Sequence, residues 1–71
     1  EQALAALRAA VARDPANARA RLLLSRLLLD TNHPNDALAS YRIFLQRFPD
    51  APGARTAKRR VEELEKVLAR Q

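Results

Sequence analysis

Few side chains in this chain could carry chemistry, and their surroundings decide what kind. His33 is the sole histidine and stands in a turn before Pro34. A metal or catalytic role needs convergent partners, and no spaced set of His, Cys and carboxylates accompanies it. Ser25 and Ser40 have no base nearby in any nucleophile pattern. Gly53 is the one glycine, so no glycine-rich phosphate loop can form. With no cysteine, disulfides and thiolate metal sites are excluded. These residues imply no catalysis and no cofactor.

Two further groups remain. Arg55, Lys58, Arg59 and Arg60 form the densest basic run, which could hold phosphates of nucleic acid or of a lipid surface. Glu62 and Glu63 follow it, and no aromatic is interleaved to stack a base, so a solvated helix face is the better reading. The second group is Arg19, Leu22, Arg26 and Leu29. Their spacing puts two leucines and two arginines on one side of a helix. Such a face suits an apolar segment bearing acidic residues.

Charge agrees with a modest electrostatic role. The net charge is +5, but residues 1–16 and 31–52 are each neutral. The excess falls on residues 17–30 (+2) and 53–71 (+3). Hydrophobic residues make up 48% of the 71, too many for a disordered segment. Alanine and leucine dominate and favour helix. No apolar run approaches the roughly 20 residues that span a membrane. The Ala and Arg bias suggests a GC-rich bacterial source.

The elements that position these residues follow from periodicity and breakers. A first helix runs from near residue 1 to Asp14-Pro15, where proline ends it. Leu4, Leu7 and Val11 share one of its faces, with Ala5, Ala9 and Ala12 on another side. Asn17 is a good N-cap for a second helix at about 18–31. There Ala20, Leu23, Leu24, Leu27 and Leu28 fill the buried arc. After the turn Thr31–Asn35, Asn35 or Asp36 caps a third helix at about 36–47. Its core face is Ala37, Leu38, Tyr41, Phe44, Leu45 and Phe48, with Ser40 and Arg42 outside. Pro52 fits the first turn of a fourth helix. That helix carries one stripe, Ala54, Ala57, Val61, Leu64, Val67 and Leu68. Its opposite face pairs Lys58 with Glu62, Arg59 with Glu63 and Glu62 with Lys66.

Sliding the chain by 34 residues aligns Ala3 with Ala37, Leu7 with Tyr41, Ala10 with Phe44, Arg13 with Arg47 and Pro15 with Pro49. A fixed period of this length marks stacked helical hairpins. Under the same shift Leu24, Ser25, Leu28 and Leu29 become Lys58, Arg59, Glu62 and Glu63. The fourth helix thus loses one apolar face, as a terminal helix should.

Ala37, Tyr41, Phe44 and Pro49, preceded by Leu24, Ser25 and Leu28, resemble the tetratricopeptide repeat. Phe44 stands where that family has a small residue, and Arg21 where it has a large apolar one. The resemblance implies an all-α fold, an α-solenoid of antiparallel helical hairpins with about four helices. It divides the chain into a half repeat (1–15), a full repeat (16–49) and a capping helix (50–71). It also implies a non-catalytic protein–protein interaction module whose concave groove would be lined by Arg19, Leu22, Arg26 and Leu29. The partner would be a peptide or helix, with acidic residues to suit the arginines. Alternatives are a terminal structural cap of a larger repeat protein or enzyme, and an electrostatic nucleic-acid or membrane binder. The Ala5, Ala9 and Ala12 side offers a surface for self-association or for an upstream helix. Arg47-Phe48-Pro49-Asp50-Ala51-Pro52 before a charged helix looks like the terminal repeats of bacterial envelope proteins. Similar endings occur in cytoplasmic ones, so cytoplasm and periplasm both stay open.

Overall fold

Breakers and caps divide the chain into four helices. The computed structural model describes residues 2–70. In it α1 is Gln2–Arg13, α2 Ala18–Asp30, α3 Pro34–Arg47 and α4 Ala54–Ala69, with no strand among the described residues. The connections are short, which sets neighbouring helices antiparallel. Each helix packs on the next along the chain, giving a slab of 35 × 29 × 13 Å. The fold is the all-helical one that the periodicity predicts.

The helix ends have local causes. Asn17 Oδ1 accepts the Ala20 N–H at 3.0 Å and caps α2. That helix stops at Asn32, whose φ of 63° is left-handed. There the Asn32 N–H reaches Leu29 O at 3.2 Å and the His33 N–H reaches Leu28 O at 2.8 Å. This reverse turn satisfies carbonyls that the helix end leaves open. Pro34 then opens α3 at its first position, earlier than the cap expected at Asn35 or Asp36. Its fixed φ and missing N–H suit that place. Pro52 does not enter α4. Gly53 precedes that helix with φ 92°, a conformation open to glycine.

Leu4, Val11, Ala20, Leu24, Leu28, Ala37, Tyr41, Phe44, Ala57 and Leu64 form the core. Tyr41 and Phe44 are its largest fully buried side chains, as their spacing predicts. Ser40 departs from expectation, because it is buried against Ser25. The two hydroxyl oxygens lie 2.6 Å apart, and Ser25 Oγ also donates to Arg21 O at 3.0 Å. Ser25 has one proton to give, so Ser40 is the donor between them. Two small polar residues let α2 and α3 approach closely there with both hydroxyls hydrogen-bonded.

Several apolar positions are less buried than their periodicity implies. Leu23 is 39% and Val67 50% exposed, and Leu27 is half-buried. The ion pairs also differ. Arg60 meets Glu63 at 3.0 Å and Arg42 crosses from α3 to Glu65 at 2.7 Å, in place of the expected spacing of four within α4. Arg42 and Glu65 come together because α3 and α4 pack side by side, a relation that helical periodicity does not contain.

Candidate functional site: a cleft between the second and fourth helices

Leu22, Arg26 and Leu29 recur at spacings of four and three, so α2 turns them to one side. Ala20, Leu24 and Leu28 fix that rotation by entering the core. The side so defined forms one wall of a cleft of about 380 Å³, which Asp30, Tyr41, Gly53, Thr56 and Arg60 complete.

Leu22 and Leu29 are both half-buried. The wall facing them comes from the Gly53 turn and α4, and no α1 residue lines the cleft. A Cβ built on Gly53 would lie 2.6 Å from Leu22 Cδ2. Glycine at this point therefore serves two needs, the left-handed turn and the seat of Leu22. Thr56 and Arg60, one turn apart, supply the α4 wall.

The cleft has an apolar side and a charged rim. Arg26 and Arg60 face Asp30, a net charge of one positive unit. Arg60 is engaged by Glu63 at 3.0 Å. Tyr41 forms the floor, its ring almost wholly buried. Burial raises its phenol pKa above the ordinary 10.0, with Arg60 and Arg26 opposing and Asp30 adding to the rise. The hydroxyl, like any phenol, is protonated at neutral pH and can donate a hydrogen bond.

Of the four residues singled out in the sequence, the structure brings Leu22, Arg26 and Leu29 together. Arg19 is exposed and lies outside the cleft. The other five lining residues, Asp30, Tyr41, Gly53, Thr56 and Arg60, lie outside that grouping. Tyr41 has core spacing, and burial of its ring does not announce that its edge floors a cleft. Thr56 and Arg60 sit i,i+4 on α4, a signal that was present. Arg60 was grouped with Arg55, Lys58 and Arg59 as one run. At about 100° per residue that run spreads round the helix, and Arg60 alone of it lines the cleft. His33 sits at the start of α3 without a side-chain cap bond. Ala5, Ala9 and Ala12 are exposed.

The tetratricopeptide repeat family model matches residues 1–61. The chain belongs to that family, whose repeats generally serve protein–protein interaction and scaffolding and are generally non-catalytic. No curated protein and no solved structure matches the chain. No described helix is long and apolar enough to cross a membrane.

Proposed function

We propose that this chain is a non-catalytic interaction module that binds a peptide or helix of a partner protein in the α2–α4 cleft. One observation carries the reading. Leu22 and Leu29 stand half-buried beside Arg26, which has no ion-pair partner among the described residues. An apolar side chain of the partner fills the space between the leucines, displacing water from apolar surface. A neighbouring Asp or Glu meets Arg26 and Arg60, which adds steering and orientation. Arg19, outside the cleft, contributes long-range attraction only.

The test is a titration of labelled protein with two amphipathic peptides of equal leucine content, one bearing Glu and one Lys. The Glu peptide is expected to shift amide resonances of Leu22, Arg26, Leu29, Thr56 and Arg60, and the Lys peptide to bind more weakly. Arg26→Glu should reverse that preference with little change in melting temperature. Shifts confined to Arg55, Lys58 and Arg59 would move the interaction to the basic outer face. A second reading, that α4 is a terminal structural cap, is supported by the exposure of Glu62, Glu63, Lys66 and Arg59. It is compatible with the first, because one helix can close the core and wall the cleft.

A further inference from the structure

The floor of the α2–α4 cleft carries a polar group that the fold does not use. Tyr41 is 1% exposed, yet its hydroxyl makes no hydrogen bond among the described residues. Its oxygen is not sealed either, because Arg21 Nε is the sealed and unpaired side-chain atom among them. The oxygen therefore opens into the cleft that the residue lines, while the ring belongs to the core with Ala37 and Phe44. A phenylalanine would fill that core as well. Tyrosine instead leaves a donor at a buried position, which is unfavourable until a partner accepts from it.

The groups around the oxygen define that partner. The charges of Arg60, Arg26 and Asp30 all act on the ionisation of this phenol, so they stand near it. Arg26 and Asp30 form no ion pair with each other. Arg60 gives Nη1 to Glu63 at 3.0 Å, which leaves its remaining N–H groups open. The phenol and two guanidinium groups thus offer donors toward one space whose charge sums to one positive unit. A single carboxylate cancels that unit and can accept several of these bonds at once. A phosphate carries about 1.5 to 2 negative charges, which exceeds it and meets Asp30 with stronger repulsion. We propose that the Tyr41 hydroxyl is a specificity-determining donor, which hydrogen-bonds the carboxylate of a glutamate side chain of the partner between Arg26 of one wall and Arg60 of the other. The proposal rests on the reading of this cleft as a peptide site, and adds the group at its floor that selects the acid. The leucines take the neighbouring apolar side chain, the arginines draw the acid in, and the phenol fixes its position.

The chain has one tyrosine and no tryptophan, so its band near 280 nm belongs to this phenol. A phenol that donates to a carboxylate absorbs at longer wavelength. The experiment titrates wild type and Tyr41→Phe with two leucine-rich amphipathic peptides that differ at one position, Glu or Ala. Peptide runs to about 1 mM to cover weak affinity, at about 0.15 M salt to screen long-range attraction. Amide shifts at Leu22 and Leu29 report filling of the cleft, and the tyrosine band reports the hydroxyl. The expected result is a red shift with the Glu peptide and none with the Ala peptide. Tyr41→Phe should bind the Glu peptide about tenfold more weakly and the Ala peptide as before, a difference that a general loss of structure would not give. The band is read on the wild type, so it decides the matter even if Tyr41→Phe folds poorly. Cleft shifts with an unmoved band overturn the role of the hydroxyl and leave the peptide reading standing. So does an equal loss of both peptides in Tyr41→Phe at unchanged helicity. No cleft shift from either peptide overturns both. Tighter binding of a phosphoserine peptide than of the Glu peptide overturns the choice of a carboxylate.

Discussion

Gly53 and Leu22 show how two residues distant in sequence define one edge of the cleft. Gly53→Ala should destabilise the fold by about 1–2 kcal/mol, the cost of placing a Cβ in a left-handed conformation. It should also push Leu22 Cδ2 from its seat and weaken partner binding, which a denaturation curve and a peptide titration measure separately. Tyr41 gives a second consequence. Its raised phenol pKa means that the folded state holds the proton more tightly than the unfolded chain does. That contribution is complete below the unfolded value near 10, and is lost as pH rises through the folded value. Tyr41→Phe should therefore lose less stability than the wild type between about pH 9 and 11, read by urea denaturation at each pH. At this scale the sequence was partly legible. Leu22, Arg26 and Leu29 could be found from spacing, whereas the inward turn of Ser40 could not, because its partner Ser25 comes from another helix. Arg19 was grouped with them by spacing along one helix, which does not record that the cleft ends before its turn.

The four helices depend on caps as much as on apolar stripes. Pro15, Asn17 and Pro49 announce ends that the structure keeps. The start of α3 was placed too late, because Asn35 and Asp36 are good caps and compete with Pro34, whose ring geometry wins the first position. The fourth helix divides its residues by face, and the two faces should respond differently. Leu64 is buried, so Leu64→Ala should cost about 2–4 kcal/mol. Glu62 is exposed and Glu62→Ala should stay within about 0.5 kcal/mol. Thermal denaturation of both variants checks this, and equal losses would contradict a helix that caps the core. The exposure of Val67 shows where the stripe reading went too far. A stripe says which side a helix can bury, and Leu68 beside it is half-buried while Val67 at the stripe's edge is not.

Over the whole molecule, the 34-residue repeat was the most legible feature, because it records packing twice in one chain. It carried the all-helical architecture and the membership of a family of interaction scaffolds. The clefts were less legible, since a cleft belongs to helices that are far apart in sequence and its walls obey no single period. The proposed role of the cleft of Leu22, Arg26, Leu29 and Arg60 is to bind a partner segment combining apolar and acidic residues. Selection from a random displayed-peptide library tests it without presuming the partner. The expected result is an enriched pool in which leucine or phenylalanine stands next to Asp or Glu, and whose binding is lost in Arg26→Glu at unchanged melting temperature. A pool that binds Arg26→Glu undiminished and is lost in Arg59→Glu would contradict it.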